Sequence, residues 1–510
     1  MSAAQKPYQP HVPGGEWSNG SGDASDGYAN LYAEDSRSDV DLEATRYLSA
    51  ATHLSPEYAN FVVRNVVAPS LRALAPAAGA DVVVVARWAL AALRMRFRRD
   101  LLLAALLLTA LLVVFLTRIW LAIGVAGVLA ISVCAYERWV RYHRIIASHM
   151  LKHRFDPAAA PTSPNPVVER RLHEAANQQA GNLVVFRGRS AFVGSGRRRV
   201  YRRMVIDLRI GSRKKNGKRN EPIPFTVPTL HSAMRDTLRR MGLPNLEVSE
   251  RLYVKGDHIA DDHDILPDPL RPPASSVDWL HLYEGAIHPT PDARTYVCAE
   301  MRGWKGQLVV TLFARALLTR ESLYIEWSFH VLSPINRAFL AVDRYFEASR
   351  SRQVYDCVRK GLIDGIPALF LAPIHLVDIL ARRAQDSLAD RRLKHAISKG
   401  YVFNYGSRPS IREVAQATSG HYFLEKDQQA YIILAEQSLL YCIGTFLADH
   451  KVDLELFSSQ ANTFFKIVNK TEAKINANNA TFGSKSPIYD QSQQSSGGSG
   501  SRQGANDGQG

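Results

Sequence analysis

The chain has 510 residues, a formal net charge of +15 at pH 7 and 46% hydrophobic residues. This length allows two or three folded units with sizeable cores, and the excess positive charge favours anionic partners such as phospholipid headgroups or nucleic acid. The four cysteines are widely spaced, so the composition argues against a disulfide framework and against a CxxC metal site: Cys134, Cys298, Cys357, Cys442.

Residues 1–38 are rich in Gly, Ser, Asp and Pro and contain little to bury, so we predict that they are disordered. Apolar residues recur at helical spacing over 39–100, and Ser55-Pro56-Glu57 is typical of a helix start. We therefore predict a small helical collar. Its last segment, residues 81–100, is apolar early and cationic late, which is typical of a helix that lies at a membrane interface.

Residues 101–136 form an apolar run that is interrupted by one charge, Arg118. A single helix of about 35 residues would be about 52 Å long, well beyond a hydrocarbon core of roughly 30 Å. Folding at Thr117-Arg118 gives two legs of about 17 residues each, so we predict a transmembrane helical hairpin. Arginines flank both ends of the run, which predicts a multipass protein of the cell membrane with cytoplasmic N- and C-termini.

Residues 137–166 continue as a basic helix and end in a proline-containing linker. The pattern then changes to one helix and several alternating, β-branched and aromatic runs, so we predict a cytoplasmic α+β domain over residues 167–335. One of the predicted strands covers residues 277–285. The predicted fold class is thus an α+β membrane protein with a collar, a hairpin, a cytoplasmic domain and a C-terminal helical module.

The helical module covers residues 336–465 and contains the apolar segment 366–380, which is flanked or interrupted by Asp364 and Asp378. A full span would bury both carboxylates and would move the basic residues that follow to the outside. We expect an interfacial or half-inserted helix packed beside the hairpin, with a third span as the alternative. Residues 466–510 are predicted to be a disordered tail, with an amyloid-type signalling motif as the less favoured interpretation.

The stretch 186–219 carries thirteen Lys and Arg residues that are opposed by Asp207 alone. We predict that this stretch forms a surface that faces an anionic partner, because solvated strands usually carry both positive and negative side chains. The alternative is an ordinary basic surface without such a partner. Seven residues are the candidates for this role: Arg197, Arg198, Arg199, Arg202, Arg203, Lys214, Lys215. Because the stretch is tethered near a leaflet and contains few aromatic residues, anionic membrane lipids are the predicted partner and nucleic acid is less favoured.

Two further motifs resemble ligand sites. His258, His263 and Asp264 are residue types that divalent metals recruit, but Gly256 and a proline-rich run indicate a surface loop, so they remain weak candidates and no cofactor is predicted. The glycines of GRSAFVGSGRRR (residues 188–199) favour a hairpin turn over an anion site, because no GK[ST] ending or GxGxxG helix start accompanies them.

We find no nucleophile elbow or other catalytic motif in the sequence. The predicted function is a membrane-anchored cytoplasmic binding or scaffolding protein that faces the anionic leaflet, with a possible protein partner bound through the C-terminal module. The alternative is a membrane-tethered enzyme that acts on a phosphorylated or lipid substrate.

Several strings carry a resemblance to a known group: RYLSAATHLSPEYANFVVRNVV, NLVVFRGRSAFVGSG, GLPNLEVSERLYVKG, ILPDPLRPP and ESLYIEWSFHVLSP. With the two-legged hairpin, they make most of residues 40–460 similar to a group of uncharacterised actinobacterial membrane proteins. The resemblance implies a multipass membrane protein with a large cytoplasmic region. It supplies no reaction, ligand or catalytic residue.

Overall fold

The structure is a computed structural model that describes residues 37–463 except 69–70, 215–216, 341, 344–348 and 418–421. The described residues up to 454 belong to one compact unit, and residues 455–463 are helical and belong to a second. The predicted disordered segments lie outside the described residues, apart from Arg37 and Ser38, with which the first helix begins.

The collar begins with helices α1 (Arg37–Leu54) and α2 (Pro56–Val62). The Oγ of Ser55 accepts a hydrogen bond from the Tyr58 amide at 3.1 Å, and Pro56 occupies the first helical position. This is the predicted helix start, because a side-chain acceptor satisfies an amide that lacks an intrahelical partner.

Helix α3 (Val82–Thr117) runs without a break for 36 residues. Asp81 caps its N-terminus, and the segment contains no Gly or Pro that would interrupt it. Val85, Trp88 and Ala89 are buried in the core of the collar. Residues 82–100 therefore lead into the apolar run without a break, as the sequence predicts, and their early apolar side chains pack in the collar; the interfacial position of this segment stays a prediction.

The chain turns at Arg118, where the sequence predicts it, and this residue adopts a left-handed conformation with φ 60°. Helix α4 (Leu121–Trp139) follows and is continued by a π-helical segment over Val140–Ile146. Small residues of the two helices, such as Ala104 and Ala130, share one buried cluster. The apolar run is thus a helical hairpin with a close packing seam.

Helix α5 (Pro166–Ala180) precedes a six-stranded sheet, and its Leu172 and Ala175 are buried in the collar core. The strands are β1 (Leu183–Phe186), β2 (Arg197–Asp207), β3 (Leu246–Lys255), β4 (Ala293–Gly303), β5 (Leu308–Leu318) and β6 (Ser322–Leu332). Helix α6 (Val227–Arg239) lies between β2 and β3, and helix α7 (Trp279–Ile287) between β3 and β4. The spatial order is β1-β3-β4-β5-β6-β2, with β1 parallel to β3 and the other pairs antiparallel.

The predicted strand over residues 277–285 is wrong, because residues 279–285 form most of helix α7. Ala286 is buried and Leu282, one turn earlier, packs against a buried cluster, whereas Trp279 and Leu280 are exposed. Apolar contacts one turn apart follow the helical period and not the two-residue period of a strand.

Helix α8 (Arg350–Ser398) is 49 residues long and contains the segment 366–380. Its first part runs antiparallel to the second hairpin leg: Gln353 hydrogen-bonds with His143, and Gly361 and Gly365 lie against Ala135 and Ile131. In this register, each residue farther along α8 lies beside a residue that is one position earlier in α4 and its continuation, and therefore closer to the hairpin turn.

This register ends after Gly365. Its continuation would bring Leu369 to Gly127 and Ala372 to Gly124, yet both glycines have open space where a Cβ would stand. Farther along, His375 comes within 3.9 Å of Asp100. Arg383 lies over the ring of Phe97.

The second part of α8 therefore follows the first leg, α3, away from the hairpin turn. Because the first part advances toward the turn and the second part retreats from it, α8 changes direction between them. Pro367 and Pro373 lie in this interval, and proline is a usual cause of a helix bend. Leu369 and Ala372 are fully buried against both legs at this point.

Helix α9 (Ile411–Val414) is short, and the last helix of the main unit is α10 (Tyr422–Asp449). Helices α6 and α10 pack on one face of the sheet, where the indole of Trp327 donates a hydrogen bond to Glu436 at 2.9 Å. Within the described residues, four helices are long and apolar enough to cross a membrane: α3, α4 with its continuation, α8 and α10. The fold is a mixed helix and sheet structure, as the sequence predicts.

Candidate functional site

A cavity with a volume of about 1260 Å³ lies at the base of the hairpin. Its walls come from α2, from the cationic stretch of α3 that precedes Leu101, from the end of α4 and from one face of α8. Most of the α8 residues in the wall are separated by three, four or seven residues, which keeps them on one side of the helix: Lys360, Gly361, Asp364, Ala368, His375, Asp378, Ile379, Arg382, Arg383, Asp386.

Half of the residues in the cavity wall carry a charged side chain. Nine are cationic and six are carboxylates: Arg64, Arg96, Arg99, Arg138, Arg141, Lys360, Arg382, Arg383, Arg408, Glu57, Asp100, Glu137, Asp364, Asp378, Asp386. Several pairs form within this set, including Arg99 with Asp100 at 2.7 Å, Arg138 with Asp364 at 3.4 Å and Arg141 with Glu137. The pairs leave an excess of positive charge.

Arg96 joins the cavity to the collar. Its Nη2 donates to the carbonyl oxygens of Thr52 and His53 at 3.2 and 2.8 Å, and these carbonyls belong to the last turn of α1. A cation is favourable there because helix C-termini expose unpaired carbonyls. Burial, together with the neighbouring Arg141 and Arg96, lowers the pKa of His53 to about 3, so this histidine is neutral at pH 7.

Three arginines of the cavity wall keep guanidinium N–H groups without a hydrogen-bond acceptor among the described residues. These groups are Nη1 of Arg96, Nη1 of Arg138 and Nε of Arg141, and all three atoms are buried. A buried donor without an acceptor costs about 1–3 kcal/mol, and more when it is charged. The arrangement thus offers donors that a ligand with several oxygen atoms could satisfy.

A second cavity of about 680 Å³ shares part of its wall with the first, including Arg64, Arg382 and Arg408. It adds Arg72, whose guanidinium lies over the ring of Phe403. Burial, followed by the positive charges of Arg187 and Arg408, lowers the pKa of Arg72 to about 10. The positive character of the first cavity therefore extends into the second.

The candidate basic residues of the sequence are separated in the structure. Arg197, Arg198, Arg199 and Arg203 are exposed on β2, which is an edge strand of the sheet, and Lys214 is exposed in the turn that follows it. Lys215 lies outside the described residues.

Arg202 belongs to the same strand but is not on an open surface. It is half-buried, and its Nε lies 3.4 Å from Oε1 of Glu436, a carboxylate buried on α10. Successive residues of a strand point to opposite faces of the sheet. The side chain of Arg202 therefore reaches an internal carboxylate, whereas that of the next residue, Arg203, is exposed.

The weak metal candidates do not converge. His258 is 3.5 Å from Asp292, whereas Asp264 is 3.2 Å from His281. The set that lies close together is Asp262, Asp264 and His281, whose ligand atoms are within 4.8 Å of one another. His281 was missed because it lies on α7, which the sequence pattern predicts to be a strand. Asp264 is largely exposed, and Asp262 already accepts hydrogen bonds from two backbone amides.

The glycine-rich segment is a turn. Gly194 and Gly196 adopt left-handed conformations, and a Cβ on either would collide with backbone carbonyls of Pro76 or Val331. The Gly194 amide donates to Glu413 at 3.2 Å. This amide therefore binds a carboxylate of the protein itself.

The cavity was not predicted from the sequence, because the arginines on either side of the apolar run were interpreted only as signals of topology. They include Arg96, Arg99, Arg138 and Arg141. The partners that complete the cavity, such as Asp364 and Asp378, come from a helix more than 200 residues away in sequence. A usable indication was the recurrence of charges at helical spacing through the apolar segment of α8.

Comparison with known proteins gives one family. Residues 202–484 match the family model of the AbeC-like domain, which covers the sheet from β2 onward and helices α6 to α10. No curated protein and no solved structure matches the chain. Because the match covers more than half of the 510 residues, the protein belongs to the AbeC-like domain family.

Proposed function

We propose that this protein is a membrane-anchored binding protein whose sheet domain faces the anionic leaflet of the cell membrane. The observation that carries the proposal is the assembly of α3, α4 and α8, which buries a cluster of mostly small residues and leaves many large apolar residues exposed on its outside. Leu108, Phe115 and Val377 are each more than 60% exposed. An exposed apolar surface of this extent is expected for contact with lipid.

In this proposal the two hairpin legs span the membrane, and α8 enters the bundle from the cytoplasmic side and returns to it. The direction change near Pro367 and Pro373 supports this topology, since a helix that turns back does not move the following chain across the bilayer. Helix α10 is assigned to the sheet domain, because it packs on the sheet and its buried Glu436 pairs with Arg202 there.

Reporter fusions test the topology. Alkaline phosphatase fused after residue 350 or after residue 400 is expected to be inactive, because both positions are cytoplasmic in the proposal. A fusion that is inactive after residue 350 and active after residue 400 would establish α8 as a third span.

Anionic membrane lipids are the proposed partner of the exposed arginines on β2. The test uses the full chain in nanodiscs with a fluorophore on Lys214→Cys, because the four native cysteines are buried. A quencher on the lipid headgroup is expected to act more strongly in anionic than in neutral nanodiscs.

Replacing Arg197, Arg198, Arg199 and Arg203 with Glu should abolish the difference between the two kinds of nanodisc. Arg202 is kept in this variant because of its internal partner. Equal quenching in the charge-reversed protein, or tight binding of RNA or DNA at physiological salt, would refute the lipid assignment.

A further inference from the structure

We infer that the 1260 Å³ cavity at the base of the hairpin is a binding site for a phosphate ester held by Arg96, Arg138 and Arg141. The inference rests on the proposed function, because it assumes that the hairpin spans a membrane. This site is distinct from the proposed lipid-facing arginines of β2, because the two sites have no residue in common.

The charge balance of the wall favours an anion. Four of its arginines are in ion pairs with carboxylates of the same wall: Arg99, Arg138, Arg141, Arg382. Five further cations form no ion pair with any described carboxylate: Arg64, Arg96, Lys360, Arg383, Arg408. A ligand with one or two negative charges would therefore be attracted into the cavity.

The donor geometry favours phosphate over a simple halide or carboxylate. The unsatisfied N–H groups come from α3, from the end of α4 and from its π-helical continuation, and Arg141 itself is only 8% exposed. A phosphate ester presents several oxygens in a tetrahedral arrangement, so it can accept from guanidinium groups that approach from different sides. The guanidinium group also suits phosphate because it is planar and weakly hydrated.

The depth of the cavity matches the level of phospholipid headgroups. Arg96 precedes the first residue of the apolar run, Leu101, by about one turn and a half, and Arg138 and Arg141 follow its last residue, Tyr136, within about two turns. The cavity wall also contains apolar side chains, among them Phe97 and Ile379. A ligand with a phosphate and an apolar portion would satisfy both kinds of surface.

The size of the cavity agrees with a ligand larger than an inorganic ion. Its volume exceeds the range of about 300–1,000 Å³ that is usual for small-molecule sites. The phosphate can belong to a membrane lipid or to a soluble phosphate ester, because the shared chemistry is the phosphoryl group. The two sources are separated by experiment.

The experiment uses the full chain in phosphatidylcholine nanodiscs that contain phosphatidic acid or phosphatidylglycerol, and native mass spectrometry counts retained anionic lipids. Glycerol 3-phosphate is the soluble probe: it is added to protein in neutral nanodiscs to measure its binding and to protein in anionic nanodiscs to test whether it displaces the retained lipid. The cavity variant is Arg96→Gln with Arg138→Gln. The matched control is Arg98→Gln with Arg144→Gln, which removes the same charge from the same flanks at exposed positions outside the cavity wall.

We expect the cavity variant to bind the phosphate ester at least about tenfold more weakly, since each charge-assisted hydrogen bond contributes about that factor. The control should bind as the native protein does. Displacement of the lipid by glycerol 3-phosphate would identify a soluble ester as the ligand, and retention of the lipid would identify a membrane lipid.

Thermal unfolding in neutral nanodiscs checks the fold of each variant. If the cavity variant unfolds, Arg96→Lys with Arg138→Lys keeps the charge and removes only the paired donors, and it should still bind more weakly. Equal loss in the control, or no binding of phosphate esters by native protein in nanodiscs, overturns the inference. Failure of the native protein to enter bilayers at all would instead refute the proposed function.

Discussion

Gly365 of α8 packs directly on Ile131 of α4, and a Cβ on the glycine would stand 2.7 Å from the Cα of Ile131. Gly361 makes the same kind of contact with Ala135 one turn earlier. Small residues at such positions let helix backbones approach closely, which is the main source of packing energy between helices in a membrane.

Replacing Gly365 with Leu should separate α8 from the hairpin and lower the stability of the bundle. Overpacking of this kind costs about 1–3 kcal/mol or more, because the neighbour at Gly365 is backbone and cannot move aside easily. Thermal unfolding of the purified protein in detergent measures the effect. Gly127→Ala is the matched control, since its Cβ would meet open space, and a drop of equal size in both variants would contradict the packing argument.

The change of direction in α8 predicts a specific pattern of cross-linking. In a background without the four native cysteines, Gln353→Cys with His143→Cys should be joined by a short bifunctional maleimide. Ala372→Cys with Gly124→Cys should not, because α8 has left the second leg at that level. Efficient joining of the second pair would show that α8 continues straight along α4.

Arg202 and Arg199 lie on the same strand, and their substitution by Glu should have different consequences. Arg202→Glu places a second carboxylate beside the buried Glu436 and breaks its ion pair, so we expect a loss of about 3–5 kcal/mol of unfolding free energy. Arg199→Glu changes an exposed residue and should stay within about 0.5 kcal/mol. Chemical denaturation followed by tryptophan fluorescence distinguishes the two, and similar losses would rule out the internal role of Arg202.

His231 predicts a loss of stability in mild acid. It is buried beneath the sheet, its Nε2 accepts from the Ala316 amide at 3.3 Å, and burial together with Arg315 lowers its pKa to about 4. The folded protein therefore favours the neutral imidazole. The stabilisation is complete above the unfolded pKa of about 6.5 and is lost as the pH falls toward 4, by on the order of 3 kcal/mol.

The measurement is unfolding free energy against pH for the native protein and for His231→Gln, whose amide oxygen can accept the same hydrogen bond without titrating. The difference between the two proteins should shift in favour of the variant between pH 6.5 and pH 4.5. Parallel curves would show that His231 does not contribute to the acid sensitivity.

The sequence by itself determined the features that depend on local chemistry. The apolar run 101–136 and the single Arg118 predicted a hairpin, because length and hydrophobicity decide what a helix can do in a bilayer. Ser55 and Pro56 predicted a helix start because the cap is formed by neighbouring residues. The alternation of β-branched residues predicted most strands of the sheet for the same reason.

Only the tertiary structure decided the features that join distant segments. Arg202 pairs with Glu436 and Arg138 pairs with Asp364. The members of each pair are more than 200 residues apart in the sequence, so no local sequence pattern predicts either contact. The helical form of α7 depends on packing against the sheet, which overrides the strand preference of its aromatic residues. The cavity forms because α8 reverses beside the hairpin, so that one face of α8 meets residues of α2, α3 and α4 that are more than 200 residues away in sequence.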